Sequence, residues 1–436
     1  MVGYALLYAG SAALLKGLGF LLSLWVAKVL APEQYGLWGL AYASQVGIGT
    51  FGIVGIQEAI VGLLHKYSLH KYSKDAGRQS LYAAAMRTLA STLSITLALS
   101  VCGIFFISSQ KEIGFIGIAG VMSSGALLAL ATLQAQISRL EEDHLSSLAF
   151  SFLIPLAGVA GSAIAFTLSP ATGAFFLGSG LGMLLLALVL KGRLRGLSGS
   201  VGELPAIRGE LLQRIWPFIL VAFFGWVSGY GSNFIVDRLF GLKDVAQLTF
   251  LLTIGSVLQL LTTALNQVWS PRFYRLVHSN ADGAAIERLN RRFYSYQSWG
   301  LGAFAAACLA GMPLLLDFAG GQLSNYRDMR LEMWLIFSGY IILVLWTHCQ
   351  NYLLVYDKGN LLMHVVLITS LIGVAVWIPL MLLLGPIGIY LGFFFQMLVR
   401  TLGIIIAARK WHLRLCWAST AGAIVLAAIP ILFPIA

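Results

Sequence analysis

Four charged side chains stand inside long apolar runs of this chain: Lys16, Glu58, Arg87 and Arg400. A charge at the centre of a bilayer costs about 2.5–3.5 kcal/mol even on a lenient insertion scale, so it should face a cavity or a partner. Lys16 lies near the middle of the first run, too deep for easy snorkelling. Glu58 and Arg87 sit on consecutive runs, each about six residues, or about 9 Å, from the same end. A structural ion pair and a substrate or proton role are equally open for them. Arg400 lies about eight residues, or about 12 Å, from the inner end of its run, within snorkelling reach. Lys28 and Arg238, the latter preceded by Asp237, mark the outer ends of the first runs of two halves. Each suits an interfacial anchor as well as an anion contact.

Amides extend this polar thread: Gln45, Gln57, Asn233, Gln259, Asn266, Gln267, Gln350, Asn351 and Gln396. Any one of them can glue helices together. Collectively they exceed what packing needs, and hydrogen-bonding groups in a wet cavity suit a hydroxyl-rich ligand. The excess of basic over acidic in-span residues points to an anionic ligand, because fixed cations focus anions.

Other motifs carry less chemistry. Gly47-Ile-Gly-Thr-Phe-Gly52 matches GxGxxG, but it lies inside an apolar run rather than between a strand and a helix, so close helix packing explains it better. Gly178 and Gly182 read the same way. There is no GxxxxGK[ST], so this chain encodes no ATP hydrolysis, and no Ser/His/Asp, HExxH or paired-carboxylate constellation argues for an enzyme or a cofactor. The histidines (His65, His70, His144, His278, His348, His364, His412) are scattered, and each reads as a packing histidine rather than a ligand. Cys102, Cys308, Cys349 and Cys416 are far apart, with no CxxC pair to suggest a disulfide framework or metal cluster. Trp25, Trp38, Trp216, Trp269, Trp411 and Trp417 fall near run ends, where interfacial belts place them.

The elements that must position these residues follow from composition. Of 436 residues, 59% are hydrophobic and only 10% charged, against about 45–50% and 25% in soluble domains. Such a chain must be dissolved in a bilayer, which excludes a soluble enzyme, a secreted domain and a disordered chain. Helical spans are expected near 4–29, 37–64, 81–107, 114–136, 146–167, 173–190, 215–237, 247–270, 298–318, 333–355, 361–384 and 388–408, with 418–435 a candidate thirteenth. The first run is too long for a cleavable signal, and a second span follows it at once. With the N-terminus inside, inside segments hold 19 of the 28 basic residues and outside segments six. That asymmetry sets the N-terminus in the cytoplasm and accounts for most of the +11 net charge without a nucleic-acid partner.

The expected architecture is an all-α polytopic membrane protein with twelve, or thirteen, transmembrane helices in two six-helix bundles. The N-terminal bundle covers 1–190 and the C-terminal one 215–408. A cytoplasmic linker at 191–214 joins them, and 409–436 adds a basic segment and the extra run. The end of the linker, Arg208 to Arg214, suits either an amphipathic helix on the inner leaflet or a basic connector. An offset of 210 residues superposes the halves, setting Lys28 on Arg238 and Gln57 on Gln267, with negligible identity. Two such bundles facing each other across a cavity suit a transporter.

The junction Ala27-Lys-Val-Leu-Ala-Pro-Glu-Gln-Tyr-Gly-Leu-Trp38 resembles the signature after the first helix of polysaccharide transporters. These are the O-antigen flippases of the multidrug/oligosaccharidyl-lipid/polysaccharide (MOP) exporter superfamily. In the second half, Ser232-Asn-Phe-Ile-Val-Asp-Arg-Leu-Phe-Gly-Leu-Lys-Asp-Val-Ala246 and Asn266-Gln-Val-Trp-Ser-Pro-Arg-Phe-Tyr274 resemble that family's seventh helix, outer turn and exit from the eighth. The chain departs from the pattern at Ala246, where glycine is usual, and in the run after Trp417, which twelve-span members lack.

The resemblance implies a bacterial inner-membrane protein of MATE-like architecture that alternates between inward- and outward-open shapes. It implies movement of undecaprenyl-diphosphate-linked oligosaccharide, an O-antigen or other surface-polysaccharide unit of lipopolysaccharide biosynthesis, to the periplasmic leaflet. Lys16, Lys28 and Arg238 are then candidates for the diphosphate or an acidic sugar, Arg87 and Arg400 for the inner mouth, and Gln57, Asn266 and Gln267 for sugar contacts. Glu58 and then Asp237 are the carboxylates for H+ or Na+ coupling. The expected partners are the lipid-linked oligosaccharide, membrane lipid, and a polysaccharide polymerase with other assembly proteins. An ion-coupled multidrug or metabolite antiporter of the same superfamily is the alternative; it would be expected to show a carboxylate deep in an N-terminal helix, where this chain has Lys16.

Overall fold

The computed structural model describes residues 2–69, 74–108, 113–196, 204–227, 229–279, 282–409 and 417–433. His70, Lys111, His412 and Cys416 lie outside the described residues. Helices joined by short connections account for the described chain, with no strand among those residues. Backbone polar groups in hydrocarbon must bond within their own segment, and a helix does this for every residue between its ends.

Two compact units emerge, one of residues 1–26 and 33–234, the other of 27–32 and 235–436. The first contains most of α1 (Val2–Val29), then α2 (Pro32–Ile53), α3 (Ile56–Leu69), α4 (Lys74–Ser108) and α5 (Gly114–Leu140). Next, α6 (His144–Leu148) runs through a π-helical turn, Ala149–Leu153, into α7 (Ile154–Leu168). It closes with α8 (Thr172–Val189) and α9 (Leu204–Val227). Gly55, at φ +64°, makes the break between α2 and α3, a left-handed conformation that costs glycine nothing.

Small residues decide how closely these helices approach. A Cβ on Gly161 would lie 2.2 Å from the Gly178 carbonyl oxygen, and one on Gly182 2.1 Å from that of Ala157. So α7 and α8 meet backbone to backbone, the packing expected of small residues in lipid. The GxGxxG stretch is also packing: Gly47 receives the Trp226 indole and Gly52 the Leu93 side chain.

Helix α9 shows an i, i+4, i+8 stripe of Ile207, Leu211 and Ile215 that is buried against α3 and α4, beside Ile60, Leu63, Leu81 and Leu89. The stretch Arg208 to Arg214 is therefore helical, with its apolar side covered by protein. The helix bends by 44° between Trp216 and Phe218. The sequence has a proline between these two residues, and proline lacks the backbone donor that would continue the helical ladder.

The second unit holds most of α10 (Ser232–Leu239), then α11 (Leu242–His278), α12 (Gly283–Ala319), α13 (Arg330–Val355), α14 (Gly359–Leu384), α15 (Ile387–Ala408) and α16 (Trp417–Leu432). Helix α13 packs against α11, α12, α15 and α16, and α14 pairs with α15. At 37 residues each, α11 and α12 reach about 55 Å, well past a hydrocarbon core of about 30 Å. The segment 271–297, expected as an inside loop, is thus mostly helix. Its basic residues mark the exit from lipid, not the end of the helix.

Eleven helices among the described residues are long and apolar enough to cross a membrane, or twelve when the bent α9 is one span. The run beyond Trp417 forms a shorter apolar helix, α16, of 16 residues. It lies along α12, where the Tyr294 and Thr420 hydroxyls are hydrogen-bonded and Ser295 Oγ meets Ser419 Oγ at 2.8 Å, and it touches α13, from which the Trp334 Nε1–H donates to the Ile424 carbonyl at 3.1 Å.

Candidate functional site

In the first unit, Lys16 stands in the middle of α1 with an exposed side chain. No carboxylate is paired with it among the described residues. Gln57 is half-buried on α3 and its Nε2–H donates to the Thr132 carbonyl at 3.2 Å, so at present it fastens α3 to α5. Glu58 and Arg87 are both exposed, and no ion pair joins them among the described residues. Of the two readings left open for them, the structural pair is not formed here.

The second unit holds the remaining candidates. Lys28 is exposed, and its backbone carbonyl lies where a Cβ on Gly321 would come within 2.6 Å, so the end of α1 rests on the connection after α12. Asp237 is half-buried and Arg238 exposed on the short α10, while Gln267 is exposed on α11. Asn266 is engaged, its Oδ1 accepting from Asn351 Nδ2 at 2.8 Å. Arg400, half-buried on α15, places its guanidinium 5.0 Å above the Trp346 ring. Among the described residues no carboxylate pairs with it, and its Nε has no hydrogen-bond partner. Near it along α15, Gln396 is 1% exposed with both amide atoms unpartnered, as is the hydroxyl of Thr401. A cation resting only on an aromatic face retains most of its capacity to hold an anion.

A second constellation escaped the sequence reading. His348 on α13 is 1% exposed. Its Nδ1 lies 2.7 Å from Asn290 Oδ1 and its Nε2 3.2 Å from Gln297 Oε1, both on α12. Asn290 Oδ1 also accepts from the Trp269 indole N–H at 2.9 Å, and Asn290 Nδ2 reaches the Tyr352 hydroxyl at 3.5 Å. Gln297 Nε2 donates to the Thr262 carbonyl of α11 at 3.4 Å. Asn290 and Gln297 were hidden because they fall in the segment read as a loop. Their spacing of seven residues, two helical turns, is the signal that could have found them.

A polar clasp closes one end of the first unit. The Gln134 amide bonds both backbone groups of Arg195, accepting from its N–H and donating to its carbonyl, each at 3.0 Å. The Arg195 guanidinium meets Asp143 at 2.9 Å and Glu141 at 3.6 Å, and Glu141 also takes the Tyr82 hydroxyl at 2.5 Å and Arg78 at 3.7 Å. Asp143 caps α6. The Ser146 backbone N–H that it accepts, with the Ser146 hydroxyl and Arg195, holds its carboxyl below the usual aspartate range.

Apolar spanning helices arranged in these two units define a multi-pass membrane protein, and its fold is that of MOP-superfamily transporters. The chain is similar to the lipid II flippase MurJ in an inward-closed conformation, at a TM-score of 0.70 and 11% identity over 99% of this chain and 93% of that one. It is also similar to an inward-facing multidrug resistance MATE family transporter of the MOP superfamily, at 0.65 and 14% over 94% of each chain. A eukaryotic MATE transporter aligns at 0.53 and 12% over 98% of this chain and 97% of its own. No protein-family model and no curated protein matches the chain.

Proposed function

We propose that this protein is a flippase that carries undecaprenyl-diphosphate-linked oligosaccharide from the cytoplasmic to the outer leaflet of a bacterial inner membrane, by alternating access through a cationic cavity. The observation that carries the reading is Lys16: an exposed lysine in the middle of a spanning helix, in a fold shared with a lipid II flippase. A cation kept at that depth makes sense where a diphosphate or acidic sugar must pass.

Lys28 and Arg238 are further candidates for the anion, Arg87 and Arg400 for the inner mouth, and Gln57, Asn266 and Gln267 for contacts to the glycan. Glu58 is the first candidate for coupling to H+ or Na+, and Asp237 the second. In this reading 191–214 is a cytoplasmic linker whose end is the first half of α9, the N-terminus is cytoplasmic, and a polysaccharide polymerase with other assembly proteins takes the product. The MATE likeness favours an ion-coupled multidrug or metabolite antiporter as the second reading.

The test is surface-polysaccharide export in cells carrying Lys16→Ala or Arg238→Ala proteins at normal abundance. Export should fall at least tenfold, while resistance to cationic drugs stays unchanged. Export equal to wild type would remove the cationic-cavity reading, and altered drug resistance with intact polysaccharide would favour the antiporter.

A further inference from the structure

The buried histidine of the second unit has an arrangement that helix packing alone does not require. The orientation of the Asn290 amide is fixed, because the Trp269 indole N–H can only donate and so demands Oδ1 opposite it at 2.9 Å. The same oxygen faces His348 Nδ1 at 2.7 Å, so Nδ1 must carry a hydrogen. On the other side of the ring, Nε2 faces Gln297 Oε1 at 3.2 Å, while Gln297 Nε2 donates to the Thr262 carbonyl. An oxygen opposite each ring nitrogen is the environment of a ring protonated at both.

The ring also has a satisfied neutral form. If Nε2 is bare, the Gln297 amide rotates so that its NH2 donates to Nε2 and its Oε1 turns towards Thr262. That residue holds a hydroxyl in reserve: Thr262 Oγ1 is buried and has no hydrogen-bond partner in the present arrangement. A threonine in a helix ordinarily back-bonds to its own preceding turn, so an idle buried hydroxyl on the residue whose carbonyl takes the Gln297 amide needs a reason. Accepting a proton forms one N–H bond at Nε2 and rotates one amide, with nothing else consumed. Burial opposes the cation, and hydrogen bonds to the two amide oxygens act in the other direction.

We propose that His348 is a proton-binding site in the second unit, with Gln297 as the element that reports its occupancy to α11 and α12. Other titratable groups approach from every side. Tyr294 of α12 presents its ring edge to the imidazole at 5.6 Å. Tyr352 and Cys349 lie on His348's own helix, and Tyr274 of α11 is linked through Asn351 at 3.4 Å. From α15, Arg400 stacks on Trp346, half a turn away along α13. Glu287 lies one turn before Asn290 on α12, His364 of α14 is bonded to the Asn360 carbonyl, and α16 carries no titratable side chain. Among the described residues, none of these hydrogen-bonds the ring, so its proton is governed by the two amides. The binding site stands independently of the flippase reading; only its use as the coupling site rests on that reading.

The full chain, labelled with 15N-histidine and reconstituted in lipid nanodiscs, tests this by nitrogen NMR across about pH 5 to 8. The resonance pair absent from His348→Gln should pass from a neutral ring protonated at Nδ1 to an imidazolium on acidification. Gln297→Met removes the acceptor of the second proton and should lower the imidazolium-to-neutral ratio at fixed pH about tenfold. Thr262→Val removes the donor that the neutral form needs and should raise the ratio. A ring that stays neutral throughout, a neutral ring protonated at Nε2, or a ratio that neither variant moves would overturn the proposal. Because no substrate is present, such a failure leaves polysaccharide export untouched, and failure of the export test leaves the titration standing.

Discussion

Asp143 shows how a single carboxylate can stabilise one end of a membrane protein. It caps α6 through the Ser146 N–H at 3.0 Å and anchors Arg195 at 2.9 Å. Losing such a cap costs about 1 kcal/mol, so Asp143→Ala should lower the resistance of the purified protein to denaturant by about that amount. The pH dependence has a definite sign. Since the folded carboxyl is held below the usual range, its stabilisation is present in full above the unfolded value of about 3.9 and is lost as the pH falls through the lower folded value. The gap between wild type and Asp143→Asn in thermal unfolding should be constant near neutrality and close only in strong acid.

Arg400 makes a contrasting case at the same scale. Its cation rests on Trp346 instead of a carboxylate. Replacing it with methionine, which keeps much of the volume and removes the charge, should leave folding nearly unchanged while reducing export. Equal export by Arg400→Met at normal abundance would make the residue structural.

At the scale of the element, α7 and α8 depend on the absence of side chains. A Cβ on Gly178 would lie 2.2 Å from the Gly161 carbonyl oxygen, and since that atom is backbone, no rotamer change can admit a larger residue. Gly178→Leu should cost about 1–3 kcal/mol or more by overpacking, visible as a lower unfolding midpoint in detergent, while Gly209→Ala on α9, where a Cβ meets nothing within 4 Å, should be neutral. Helix α16 has the opposite character. It lies along α12 through Thr420, Ser419 and the Ala423 contact at Gly302. Truncation before Trp417 should therefore expose apolar surface on α12 and lower the stability of the second unit.

At the scale of the molecule, orientation can be read before any substrate is known. Reporter fusions placed after residue 193 and after residue 279 should be active only as cytoplasmic reporters, and one placed after residue 241 only as an external reporter. The reverse pattern would invert the proposed assignment of Arg87 and Arg400 to the inner mouth and of Lys28 and Arg238 to the outer end. The likeness to MurJ and the MATE transporters at 11–14% identity shows how little of such a fold depends on particular residues.

That economy explains what was legible in the chain. The spans follow from composition because lipid demands about 20 apolar residues per crossing, and the expected spans from 81–107 to 173–190 and from 247–270 to 388–408 coincide in order with the helices, whereas the seventh, expected at 215–237, is divided between the end of α9 and most of α10. The glycine pairs were legible because in lipid small residues have one principal use. Helix ends were not, since α11 and α12 continue well beyond the apolar stretch once their backbone bonds are satisfied internally. For the same reason Asn290 and Gln297, two helical turns apart on the part of α12 expected as a loop, stayed hidden beside His348. Ions and amides are short-range partners whose identity depends on rotamers and on which helix lies opposite. Thus the sequence determined the solvent, the helical class and the charges that must be explained, whereas only the tertiary structure decided that Glu58 and Arg87 stand apart, that Arg400 rests on Trp346, and that two amides enclose a histidine.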